Sequence, residues 1–232
     1  MIPSALSLLL RSLLRPLLGL ALILTALPAQ DPAPPGAAQW EKEVAQIESR
    51  RKSAPVAPGG VVFAGSSSIR LWNLPESFPR LILSNCGIGG SLIEDCTAFV
   101  PRLILPLQPR LVVFYAGDND SAADHSAARI AADFQDFAAA IHRPLPDCRI
   151  LYLPIKPSPA RQKLWPIQRQ ANALIAQYCA SQPSTLQFLD VATPLLGPDQ
   201  TLRPELYQKD GLHLSPVGYA IWNNLLRPHL EK

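Results

Sequence analysis

The chain has no acidic residue among its first 29 positions and no run of like charges long enough to read as a tail anywhere in its 232. The second absence excludes a charged interaction tail. Net charge is +3, and Arg11 and Arg15 in the N-terminal stretch supply two of those charges, which leaves about +1 for the rest. That balance excludes the basic stripe of a nucleic-acid binder. No cysteine precedes Cys86, so the N-terminus lacks the residue that a lipid anchor would modify. "GSSSIR" (65–70) has no Gly-Lys-Ser/Thr continuation, which excludes a nucleotide P-loop. "GIGG" (87–90) lacks the glycine spacing of a dinucleotide fingerprint. There is no internal repeat and no second-domain boundary, and 48% apolar content suits one domain with a sizeable core.

What is present begins with "MIPSALSLLLRSLLRPLLGLALILTALPA" (1–29). Two arginines precede an uncharged run from Leu17 to Leu27, and small residues follow. The run is short of the roughly 20 apolar residues that a membrane span needs. It fits the core of a signal peptide cleaved after Ala29, with an uncleaved anchor as the alternative. "QDPAPPGAA" (30–38) reads as a flexible spacer, and the globular domain is expected over 39–232. Export makes four cysteines candidates for disulfides. Cys148 precedes an expected strand and Cys179 ends the helix after it, so the two can meet at one end of a sheet. Cys86 and Cys96 flank a Gly-rich loop at the other end. The competing expectation is that all four are small buried hydrophobes.

The elements alternate. "VVFAG" (61–65), "RLILSN" (80–85), "LVVFYAG" (111–117), "RILYLPI" (149–155) and "LQFLD" (186–190) are short and nearly continuous in apolar residues, as strands buried on both faces are. Helical spacing joins Trp40, Val44 and Ile47; Ile130, Phe134, Phe137 and Ile141; and Ile167, Ala171, Leu174 and Tyr178. Ser215-Pro216 reads as an N-cap and first turn for a helix through Val217, Ile221 and Leu225 that Pro228 ends. This order implies an α/β fold, a parallel sheet with helices on both faces. Ligands in such folds bind beyond the carboxyl ends of the strands. Polar stretches follow all five: "GSSSIR", "NCGIGGS" with Ser91-x-x-Glu94 as a capping box, "AGDNDS", "KPSPAR" and, after a longer loop, "KDGLHLS".

A serine nucleophile on this rim needs a base, a group to orient the base, and donors for an oxyanion. Only four histidines are available. His125 and His142 sit at the edges of an expected helix and read as solvated, and His229 lies in the tail. His213 follows Asp210-Gly211-Leu212 on the rim. An aspartate three residues earlier can reach its Nδ1 across a tight turn and leave Nε2 for a serine from another loop. Asp118, Asn119 and Asp120 with Asp210 and His213 form an alternative metal cluster. The Asn119-Asp120-Ser121 sequon reads as a chance match. Arg70, Lys156 and Arg161 near the rim are either contacts for an anionic substrate or surface charge.

"FAGSSSI", "NCGIGGS", "GDND" and "DGLHLS", in that order, resemble the four blocks of the SGNH hydrolase superfamily, the GDSL-type esterases and lipases. "KPSPAR" resembles a segment of an exported branch whose first block reads GSSS. The likeness spans roughly Trp40 to Leu230. It implies a three-layer sandwich around a five-stranded parallel sheet of flavodoxin-like type. It implies Ser67 as nucleophile, His213 as base and Asp210 as its orienter, with the backbone N–H of Ser67 and Gly90 and the amide of Asn119 as oxyanion donors. Ser66 stands where the family has aspartate and is expected to brace the loop by bonding nearby backbone. The implied activity is ester hydrolysis through an acyl-enzyme, with no cofactor and no metal. Short acyl esters, such as acetyl groups on carbohydrates, are expected as substrates. A lysophospholipase, a thioesterase and a non-catalytic carbohydrate-binding protein are the alternatives. The N-terminal segment sets the expected location as periplasmic or secreted, with inner-membrane anchoring by an uncleaved signal as the alternative; no nucleic-acid partner is expected, and no membrane span once the signal is removed.

Overall fold

The computed structural model describes residues 37–230. The expected leader and all but the end of the spacer lie outside them. Five strands form one parallel sheet: β1 (Val61–Gly65), β2 (Leu83–Gly87), β3 (Leu111–Tyr115), β4 (Arg149–Tyr152) and β5 (Leu186–Phe188), in the order β2-β1-β3-β4-β5. β1, β3 and β4 lie inside the sheet, and almost every residue in them is buried. Continuous apolar runs were the expected signature of such strands.

Successive side chains alternate between two cores. Val62, Ala64, Val112, Phe114, Ile150 and Tyr152 face helices α1 (Glu41–Ser53), α4 (Ile93–Ala98), α6 (Ala127–His142) and α7 (Trp165–Ser181). Phe63, Val113, Tyr115 and Leu151 face the short α2 (Ser67–Arg70) and α3 (Leu74–Ser77), and the long α8 (Pro216–Leu230). The result is three layers, helix–sheet–helix, with α5 (Asp118–Ala122) at the end of β3. The strand order reverses where β1 lies between β2 and β3, and a crevice at such a switch point is where α/β folds bind ligands.

Several local features differ from the expected ones. β2 starts at Leu83, because the Leu81 N–H closes a turn onto the Phe78 carbonyl at 3.0 Å before the chain can extend. The capping box is shifted by one residue: the Leu92 N–H donates to Asp95 Oδ2 at 2.9 Å. Ser91 Oγ turns to the Ile88 carbonyl, and Glu94 pairs with Arg129. α8 runs through Pro228 to Leu230. Proline so near the end removes only one donor, and Leu230 is fully buried with its carbonyl held by Arg110.

All four cysteines are buried free thiols, so neither expected disulfide is formed. They pack with the α1/α4/α6/α7 core as small hydrophobes. Cys96 Sγ lies 3.3 Å from Ser91 Oγ, and Cys86 Sγ turns to the Leu103 carbonyl. Burial pushes the Cys86, Cys96 and Cys179 thiols up to about 12 and Cys148 up to about 11.

Candidate active site

β1 ends in Gly65 at φ +134°, where a Cβ would stand 1.9 Å from the Tyr115 carbonyl of β3. Only glycine permits that approach. Beyond it the Ser66 N–H donates to the same carbonyl at 2.9 Å, and the Gly65 carbonyl accepts from the Ile88 N–H at 2.8 Å. The turn is therefore clamped between β3 and the glycine-rich loop, and it delivers Ser67 as the first residue of α2. α8 holds that helix from the far side, with Tyr219 Oη donating to the Ser68 carbonyl at 2.8 Å. Asn85 Nδ2 donates to the Ile69 carbonyl from β2.

Ser67 Oγ lies 2.9 Å from His213 Nε2, and His213 Nδ1 lies 2.6 Å from Asp210 Oδ2. A carboxylate can only accept, so Nδ1 carries the proton and Nε2 is left to accept from the Ser67 hydroxyl. The other Asp210 oxygen accepts the N–H groups of Leu212 and His213 at 2.9 and 3.0 Å. The turn passes through Gly211 at φ +64°. It is fixed outside by the Gly211 carbonyl, which accepts from Ala160, and by the Gln208 N–H, which donates to the His213 carbonyl. Burial acts to raise the Asp210 pKa, but the hydrogen bonds from His213 and the two backbone N–H groups outweigh it and bring the carboxyl down to about 2.

Gly90 is at φ +84° in the loop after β2. The neighbouring Gly89 N–H is taken by Glu43 at 3.1 Å. Asn119 sits in the first turn of α5, with its Nδ2 on the Ser91 carbonyl at 2.9 Å. The three expected donors thus come from the loops after β1, β2 and β3. A serine hydroxyl next to an oriented imidazole can attack an acyl carbon, and amide donors on the neighbouring loops are the kind of group that stabilises a resulting oxyanion.

The sequence matches the model of the GDSL-like Lipase/Acylhydrolase family over residues 72–221, well over half of the chain. The chain belongs to that family. As a member, the protein is a carboxylic ester hydrolase of the SGNH superfamily. The match starts at Trp72, beyond Ser67, so the nucleophile loop rests on its own geometry.

No curated protein sequence matches the acylhydrolase, but solved structures share its fold. A Streptococcus pneumonia protein described as a candidate platelet activating factor is 20% identical, with TM-score 0.69, over 83% of this chain and 95% of that one. A GDSL-like lipase from Bacteroides thetaiotaomicron is 21% identical, with TM-score 0.65, over 84% and 97%. An acetylxylan esterase from Geobacillus stearothermophilus is 17% identical, with TM-score 0.58, over 74% and 94%.

Several readings of the acylhydrolase's rim made from the sequence need correction. Ser66 Oγ is buried without a hydrogen-bond partner, so the loop is braced through backbone bonds and not through that hydroxyl. Lys156 is fully buried and does not meet substrate; its Nζ donates to Tyr115 Oη at 3.1 Å and lies 3.8 Å from Asp118 Oδ2. Burial lowers its pKa, against the opposing pull of Asp118. Arg161 stands behind Asn119: it donates to Asn119 Oδ1 at 2.9 Å and lies 3.1 Å from Asp118 Oδ2. It fixes which way the amide points. Arg70 is half exposed, with Glu43 3.5 Å away. Asp118 and Asp120 do not gather with Asp210 and His213. His125 lies in the loop before α6 beside Asp133, and not on a solvated helix edge.

Proposed function

We propose that the protein hydrolyses short-chain carboxylic esters, acetyl groups on carbohydrates in particular, with Ser67 as nucleophile. The observation that carries this reading is the unbroken hydrogen-bonded chain Ser67–His213–Asp210. His213 Nε2 takes the Ser67 proton as Oγ attacks the acyl carbon, and Asp210 holds the imidazolium that forms. The oxyanion takes the N–H groups of Ser67 and Gly90, and the Asn119 amide exchanges the Ser91 carbonyl for it. His213 then protonates the leaving alcohol. Water, activated by the same nitrogen, releases the acid from the acyl-enzyme.

The preference for a small acyl group and a large polar alcohol rests on the openness of the rim. Asp210 is nearly half exposed and His213 about one-fifth exposed, so solvent reaches the catalytic groups. Such a site suits a substrate most of which stays in water. The acetylxylan esterase with the same fold is in keeping with this, although fold alone does not carry substrate. On the same footing, the leader at 1–29 directs export, and the enzyme works outside the cytoplasm.

The test is a panel of acetylated xylo-oligosaccharides, chromogenic esters of increasing chain length, and lysophospholipids. Highest kcat/KM on acetylated sugar, falling with chain length, supports the reading. A maximum on long-chain esters or lysophospholipids would replace it with a lipid-directed activity.

A further inference from the structure

Behind the rim, one cluster of side chains takes no part in the chemistry above. Asp120 is fully buried in α5, and Asp133 is almost so in the second turn of α6. Each spends one carboxylate oxygen on a partner. Asp120 Oδ1 accepts the Ile93 N–H at 3.0 Å, and Asp133 Oδ1 accepts Arg129 Nε at 2.6 Å. The remaining oxygens, Asp120 Oδ2 and Asp133 Oδ2, are buried without a hydrogen-bond partner, and so is His125 Nδ1. One ligand atom from each of the three residues lies within 4.8 Å of the other two.

Leaving three polar atoms unpaired in the interior is expensive, and nothing else within the cluster satisfies them. Two are carboxylate oxygens that can only accept. His125 Nδ1 stands 3.8 Å from Asp133 Oδ2, beyond hydrogen-bond range. If it carried a proton, it would still serve only one of the two oxygens well. A single cation among them satisfies all three at once.

We propose that Asp120, His125 and Asp133 form a binding site for a divalent transition-metal ion, with Zn²⁺ the best match. One imidazole and two carboxylates suit Zn²⁺ or Mn²⁺, whereas Ca²⁺ takes oxygen ligands alone. Zinc bonds of about 2.0–2.2 Å place tetrahedral donors roughly 3.4 Å apart. The ligand atoms therefore need to close by up to about 1.4 Å from the 4.8 Å that bounds their separation, and His125 lies in a loop and not within a helix. His125 is partly exposed, so the ion enters from its side and keeps water as a fourth ligand. The ion would not touch the reacting atoms. It would pin Asp120, the neighbour of Asn119, and through Asp120 the Ile93 end of the glycine-rich loop.

The test uses the purified, untagged full chain, stripped with a chelator and then equilibrated with Zn²⁺ or Mn²⁺. Bound metal is measured by plasma mass spectrometry after gel filtration, and Tm by scanning calorimetry. The expected result is about one ion per chain and a Tm raised by roughly 5–10 °C at metal a hundredfold above Kd. His125→Gln and Asp133→Asn should each weaken binding about a hundredfold while the metal-free Tm stays within a few degrees of the parent. No uptake or Tm shift at millimolar metal would overturn the proposal. So would uptake that both variants retain. Neither readout uses ester turnover, so the outcome is independent of the catalytic reading.

Discussion

Ser66 and Ser67 are one peptide apart and meet opposite surroundings. Ser67 presents its hydroxyl to His213, while the Ser66 hydroxyl is buried and unbonded. Removing an unsatisfied buried hydroxyl relieves a cost. Ser66→Ala should therefore keep turnover and leave stability unchanged, or raise it by up to about 1 kcal/mol in urea unfolding. Asn119→Ala should lower kcat roughly 10²–10³-fold, as loss of one oxyanion donor does, with circular dichroism unchanged. Arg161→Ala misaims that amide without removing it, so kcat should fall by up to about 10²-fold while KM moves little. Lysine at 161 should restore only part of the rate, because a single ammonium does not reproduce a planar fork on Asn119 and Asp118. That Asp210 reaches His213 was legible from the Asp-x-x-His spacing on the expected rim, whereas the contact of His213 with Ser67, among three serines in a row, was legible only through the family resemblance. Arg161's hold on Asn119 was not, because it joins loops 42 residues apart.

Elements carry these side chains into place. The strand runs were legible because burial on both faces leaves a continuous apolar signature. The start of β2 was not, since the apolar run "LIL" (81–83) enters it from a turn closed between Phe78 and Leu81. The disulfides were misread for a similar reason. Position in the chain said which cysteines lay near which end of the sheet, but not that their side chains pack into the core. The contact at the end of β1 sets the sharpest limit on the fold. A methyl at Gly65 would overlap the Tyr115 carbonyl, and φ there is positive. Gly65→Ala should cost about 4 kcal/mol or more, in the range reserved for backbone strain and overpacking. It should appear as a lowered urea midpoint or as insoluble protein, whereas Gly59→Ala, at φ +85° but with open space around it, should cost only the roughly 1–2 kcal/mol of left-handed backbone.

At the scale of the whole molecule, five loops from one edge of a single sheet converge, so folding and site assembly are the same event. Asp210 links them to pH. Its folded carboxyl sits near 2, below its ordinary 3.8, so the unfolded chain takes up protons more readily on acidification. The stability that it contributes is present above about pH 4 and is lost as pH falls towards 2. Asp210→Asn should flatten that part of the acid-unfolding curve, followed by tryptophan fluorescence, while the parent keeps its slope. The account stands or falls on Ser67, and trapping the acyl-enzyme tests it most directly. The protein is mixed with a chromogenic acetate, quenched in acid, and weighed intact and after digestion. The account predicts one acetyl group on the peptide carrying Ser67, and neither adduct nor turnover in Ser67→Ala. Turnover at the parent rate in Ser67→Ala, or an acetyl group that maps to another residue, would contradict it.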